Sequence, residues 1–152
     1  MIRISRKLEY ALMAVKLMSG RDTKQLTTTK EICEQTNSPF DATAKVMQQM
    51  VQHGLLGSAQ GIRGGYYIIK NLSQVSLLEL MEMVLGPVEV AKCITSVESC
   101  EFHETCNIKS PLRVIQNKLT MFYSQMMLSE LLLEPQVVKK PMSPINEDEK
   151  YV

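Results

Sequence analysis

Residues 54–69 read Gly-Leu-Leu-Gly-Ser-Ala-Gln-Gly-Ile-Arg-Gly-Gly-Tyr-Tyr-Ile-Ile. Two strand-like runs, 55–59 and 66–69, flank a tip at 60–65 that is rich in glycine and holds a single arginine. Glycines permit a tight turn and close approach, while one cation at the tip reaches a phosphate or a narrow minor groove. This stretch predicts a β-hairpin wing, with Gln60, Arg63 and Gly64 as its candidate DNA contacts.

Toward the N-terminus, Leu8, Ala11, Leu12, Val15 and Met18 recur at helical steps, with Ser5 as cap and Gly20 as stop. Leu26 begins a short extended piece, and Thr28 or Thr29 caps a second helix that carries Ile32 and Cys33 and ends near Asn37. Ser38-Pro39 opens a third helix over 39–53 that buries Val46, Met47 and Met50 and closes at Gly54. Two short helices joined by a tight turn, followed by a wing, form the winged helix-turn-helix pattern. The second helix of the pair then faces DNA. Phe40, Asp41, Thr43, Ala44 and Gln48 are expected on or near its exposed face, and Lys45 near phosphate. Thr43 suits a thymine methyl, and Asp41 suits a cap or cytosine N4. Phe40 packs either on bases or on the motif's own core. Tyr66 is expected to anchor the wing base.

Toward the C-terminus, residues 77–85 read as a helix capped by Ser76 and ended by Gly86-Pro87. Three cysteines then fall in one polar stretch, Cys93-x6-Cys100-x5-Cys106. Clustered soft thiolates suit zinc, copper(I) or an iron–sulfur cluster. Zinc sites pair cysteines two to four residues apart, which these spacings do not match, and the tight C-x2-C packing of a ferredoxin is absent. Cys33 reads instead as a small packed residue, His53 as a partner of a helix C-terminus, and the methionines as adaptable filling. Leu112, Ile115, Leu119, Phe122 and Met126 alternate three- and four-residue steps, an a/d seam on a long helix without an equal partner in the chain. That seam is the expected homodimer interface.

Charge divides the chain. Residues 1–70 carry ten Lys/Arg against five Asp/Glu, and residues 71–152 carry seven against eleven, beneath a net charge of +1. A basic first half fits a nucleic-acid face, with ordinary solvated charge as the alternative. No apolar run of about 18 residues predicts a membrane span, and no secretory signal is legible, so the expected location is cytoplasmic. Reduced cytosolic thiols argue for metal or redox duty over disulfides. No phosphate-binding glycine loop and no His/Ser/Asp constellation points to an enzyme or to a small-molecule substrate.

The opening Arg3-Ile4-Ser5 to Tyr10-Ala11-Leu12 resembles the Rrf-type winged-helix regulators, the IscR/NsrR-like family. So do Ile32-Cys33-Glu34 through Gly54-Leu55-Leu56, the run Gly61-Ile62-Arg63-Gly64-Gly65-Tyr66, and the cysteine stretch before a long helix. The resemblance covers residues 1 to about 132. It implies a homodimer on partly palindromic double-stranded operator DNA. It also implies a [2Fe–2S] or [4Fe–4S] cluster held by Cys93, Cys100 and Cys106 plus one further ligand. The chain departs from the family pattern in three places. Lys109 stands where IscR-like members have a histidine, the cysteine spacing is uneven, and Gln60 stands where the wing usually has arginine. The resemblance offers Glu9 of the first helix, from the partner subunit, as fourth ligand, and His103 inside the loop is the rival.

The expected architecture is mostly α with a small β-hairpin wing. Residues 1–86 form the DNA-binding domain, 87–109 the cluster loop, 110–133 the dimerisation helix, and 134–152 a disordered tail. The expected function is cluster-controlled transcription regulation. A metal-free cysteine redox regulator of the same fold is the alternative. A winged-helix adaptor and an iron–sulfur electron carrier stand behind it.

Overall fold

Capping residues and apolar periodicity divide the chain into its elements. The computed structural model describes residues 4–22, 25–91, 94, 100–102 and 104–133. Among these residues the order is α1 (Arg6–Ser19), α2 (Thr29–Thr36), α3 (Phe40–Gln52), β1 (Leu56–Ala59), β2 (Gly65–Ile68), a 3-10 turn (Leu72–Gln74), α4 (Leu77–Leu85), α5 (Lys109–Ser124) and α6 (Leu128–Leu132). The architecture is mostly helical with one antiparallel hairpin, as the sequence predicts. No helix among the described residues is long and apolar enough to cross a membrane.

Ser5 starts α1 by accepting from the Leu8 N–H, and Gly20 ends it. Its buried stripe of Leu8, Ala11, Ala14, Val15 and Met18 faces α2, α3, α4 and α6. Two fully buried alanines let neighbouring helices approach this one closely. Both α2 and α4 begin with a capping box. Thr28 accepts from the Glu31 N–H at 3.2 Å while Glu31 accepts from the Thr28 N–H at 2.7 Å. Ser76 and Glu79 repeat the arrangement at α4. Each box satisfies donors that would otherwise be orphaned at a helix start. Met47, Met50 and Leu80 are fully buried between the helices, and each contributes roughly 1.5–3 kcal/mol by leaving water.

The start of α3 corrects the expected cap. Pro39, not Ser38, is the N-cap residue, and no side chain caps this helix. Pro39 has extended backbone at φ −65° and ψ 132°, so the first helical residue is Phe40. Ser38 is one position too early and turns its hydroxyl inward.

The hairpin pairs Leu56 with Ile68 and Ala59 with Gly65. Thr27 adds a third, one-residue rung: its N–H donates to the Tyr66 carbonyl at 3.0 Å, and the Tyr66 N–H donates back at 2.9 Å. The wing is therefore tied at Tyr66, one rung from its tip, to the residue preceding the α2 cap.

The expected single helix over 110–133 is two pieces. Helix α5 ends at Ser124, and Met127 is extended at φ −78° and ψ 142° before α6 begins. No glycine or proline forces the break. Backbone pairing does: the Leu77 N–H donates to the Met126 carbonyl at 2.8 Å, and the Leu128 N–H donates to the Val75 carbonyl at 2.9 Å. Leu128 and Leu132 then enter the core, and the Lys16 ammonium donates to the Leu132 carbonyl. These bonds and this burial outweigh continuation of the helix.

Candidate nucleic-acid interface and cysteine loop

Helix α3 presents its outer face beside the first turn of α1. An open groove of about 510 Å³ runs between them, lined by Lys7 of α1 and by Asp41, Lys45, Gln48, Gln49 and Gln52 of α3. Two lysines offer charge to a phosphate backbone, and three glutamine amides offer the paired donor and acceptor that match an adenine edge. Asp41, Lys45 and Gln48 were expected on this face, and they are exposed there. Lys7, Gln49 and Gln52 were missed. For Gln49 and Gln52 the signal was available, since residues 45, 48, 49 and 52 share one helical face.

Thr43 corrects the expectation of a base contact. It is fully buried, and its hydroxyl donates to Ser38 Oγ at 2.9 Å. Ser38 Oγ in turn lies 2.8 Å from Thr36 Oγ1 and 3.7 Å from Cys33 Sγ. Thr43 stands three, four and seven residues before Val46, Met47 and Met50, so it belongs to the inward face they define. Cys33 is half-buried and bonded within this hydroxyl cluster, in line with a packing role. Phe40 is exposed and borders a second cleft, of about 440 Å³, between the start of α2 and the wing. Thr28, Lys30, Gln60 and Gly64 line it too.

The tip of the wing is a β-turn in which the Gly64 N–H donates to the Gly61 carbonyl at 2.9 Å. Gly61 has φ +110°, a conformation that side chains oppose. A Cβ at Gly64 would lie 2.3 Å from the Ala59 carbonyl oxygen, so no other residue fits there. Gly64 is thus a geometric requirement of the turn. Arg63 is exposed at the tip and forms no ion pair among the described residues, and Gln60 is exposed beside it.

The cysteine stretch falls between α4 and α5 in the sequence. Cys100 and Cys106 are half-buried free thiols, while Cys93 and His103 lie outside the described residues. Among the described residues no three His, Cys, Asp or Glu side chains gather as a metal-binding group. The donor chemistry of the loop, thiols with no tight zinc-type pair, fits an iron–sulfur cluster. Lys109 begins α5. Glu9 pairs with Arg6 at 2.6 Å on the first turns of α1.

On α5, Leu112 and Leu119 are half-buried on the face of Gln116, whose amide donates to the Val88 carbonyl and accepts from the Val90 N–H. That face leans on α4 and residues 88–90. The expected seam therefore splits. Ile115 and Phe122 remain exposed, joined by exposed Val114 and Met121, whereas Met126 lies beyond the end of the helix and pairs with Leu77.

The chain is similar over 134 residues, at 26% identity, to a putative HTH-type transcriptional regulator, rrf2-like, of Rhodobacter capsulatus; this covers 85% of the chain and 87% of that protein. It is 23% identical to the HTH-type transcriptional regulator IscR of Photorhabdus laumondii, covering 90% of the chain and 83% of the relative. The fold is that of CymR (YrzC), the global cysteine regulator of B. subtilis, at a TM-score of 0.66 and 19% identity over 87% of this chain and 97% of that one. The T. potens IscR structure superposes at 0.64 with 15% identity, covering 86% of each chain. The Rrf2 family profile, described as iron-dependent transcriptional regulators, matches residues 4–134. With a helix-turn-helix, a glycine-tipped wing and this match over most of its length, the chain belongs to the Rrf2 family of transcriptional regulators.

Proposed function

We propose that this regulator binds operator DNA as a homodimer, under the control of an iron–sulfur cluster held by Cys93, Cys100 and Cys106. One observation carries the reading: three cysteines fall between α4 and α5 in the sequence, and the two described ones are free and half-buried. Bound there, the cluster would supply iron–sulfide chemistry that nitric oxide, oxidants or cluster supply can alter. The chain's own residues do the rest. Asp41, Lys45 and Gln48, with Lys7, Gln49 and Gln52, meet the major groove and its flanking phosphates, and Arg63 and Gln60 reach from the wing. Ile115, Phe122, Val114 and Met121 offer a second copy an apolar face. The functional division follows: a DNA-binding unit over 1–86, completed by α6, a cysteine stretch before α5 for the cluster, and α5 (Lys109–Ser124) for assembly. Such a protein is cytoplasmic and performs no catalysis. Glu9 of the partner subunit is the fourth ligand under this reading, released from its pairing with Arg6.

Purification without oxygen tests the cluster. The expected protein is coloured and contains iron and sulfide, and Cys93→Ala, Cys100→Ala or Cys106→Ala each bleaches it, whereas Cys33→Ala does not. A colourless protein whose regulation follows reversible thiol oxidation would replace it with the metal-free reading. Lys109, in place of a ligating histidine, favours that second reading, and the S. aureus CymR structure of the same fold was solved in an oxidized form.

A further inference from the structure

The wing carries an apolar group where a hairpin tip ordinarily carries a polar one. Ile62 is fully exposed at the turn, with no part of the chain covering it. It occupies the first central position of the Gly61–Gly64 turn, and Arg63 the second. Flanking residues 61, 64 and 65 are all glycine, so only two side chains project from a slim tip. The tip is held in place, because the Gly64 N–H bonds the Gly61 carbonyl and Tyr66, one rung below, is paired with Thr27. The wing also lines one cleft with Phe40 and Lys30, so it lies on the side where α3 begins.

We propose that Ile62 is a specificity-determining wedge: Arg63 draws the wing into the minor groove flanking each half-site, and Ile62 presses between two base pairs there. The inference rests on the DNA-binding reading above. A minor groove about 6 Å wide admits a tip of this slenderness, and a neighbouring cation offsets the approach to phosphate. Aliphatic side chains that enter the minor groove partly unstack a base step and kink the duplex toward the major groove. Unstacking costs least at pyrimidine–purine steps. Ile62 therefore selects TA or CA/TG at the flank without any hydrogen bond to a base. This is readout by deformability, separate from reading by the glutamines of α3.

In vitro selection with the wild-type protein and with Ile62→Ser tests the idea. Wild type is expected to enrich a central motif plus a pyrimidine–purine step at a fixed distance outside it. Ile62→Ser is expected to keep the central motif and lose the step, with affinity for the wild-type sequence down about tenfold, the scale of one lost base-pair preference. 2-Aminopurine placed at the step should brighten on binding wild type and stay dark with the variant. Because Ile62 is exposed, the variant should unfold at the wild-type temperature. A central motif with no flanking step, or the same step from both proteins, overturns the wedge and leaves the DNA reading intact. Altered self-association in Ile62→Ser with unaltered selection makes the residue a protein contact and also overturns it. Failure of wild type to select any DNA removes the reading beneath it.

Discussion

The Thr43 hydroxyl shows how one buried polar atom redirects an expected role. It supplies a hydrogen bond to Ser38 inside the helix-turn-helix, so its loss leaves a buried oxygen short of a partner. Thr43→Val is expected to lower stability by about 1–2 kcal/mol, and to leave base preference unaltered in selection experiments. Urea unfolding of the two proteins measures the first effect; a relaxed preference at one base would return Thr43 to the DNA. Glu31 makes a pH prediction of the same size of detail. The Thr28 N–H, then the Thr28 hydroxyl, and less strongly Arg21 hold its carboxyl below the usual range, partly opposed by burial. A lowered folded-state value means the charged form stabilises the fold at and above ordinary carboxylate titration, and that contribution is lost as pH falls through the lowered value. Glu31→Gln should flatten this acid-side loss in thermal unfolding from neutral pH to about pH 3. A steep loss identical to wild type would assign the effect to other carboxylates. Arg63→Ala should weaken binding across sequences and shallow its salt dependence by about one ion.

At the scale of elements, the winged domain is completed by a segment far along the chain. Helix α6 has only five residues, too few to persist alone, yet Leu128 is fully buried and Leu132 nearly so. Leu128→Ala is expected to destabilise by about 2–5 kcal/mol, as a core cavity does, and to do so for the whole winged domain. Tryptic digestion should then release the hairpin and α5 together. Cleavage confined to residues beyond 124, with the winged domain resistant, would show that α6 is only peripheral.

For the whole molecule, the proposed assembly rests on the face left open on α5. Ile115 and Phe122 are about half exposed, while Leu112 and Leu119 already lean toward their own chain. Ile115→Asp with Phe122→Asp should therefore convert the proposed dimer to monomer, because a charge would be buried unpaired at the contact. Leu119→Asp should destabilise the chain as well as the pairing. Sedimentation velocity separates these outcomes, and an undisturbed dimer in the double variant would place the interface elsewhere. A monomer spans one half-site only, so operator affinity is expected to fall with it.

The sequence by itself determined the parts whose signals are local. Capping residues at Ser5, at Thr28 or Thr29 (the structure uses Thr28) and at Ser76, apolar steps in α1 and α3, and the Gly61–Gly65 tip mark helices and wing because each acts within a turn or two of its own position. The three cysteines were legible for the same reason, as a spacing on one loop. Only the tertiary structure decided which way ambiguous residues face. Ser38 points inward because the helix begins one residue later than the Ser-Pro signal implies, whereas the inward place of Thr43 lay within reach of helical periodicity, three, four and seven residues before Val46, Met47 and Met50. The predicted long helix breaks at Met126 because Ser76, fifty residues earlier, offers its neighbours' backbone groups as partners. Lys7 joins the groove of α3 because α1 crosses it there. Such choices depend on what another element brings into contact, and no window of neighbouring residues contains that information.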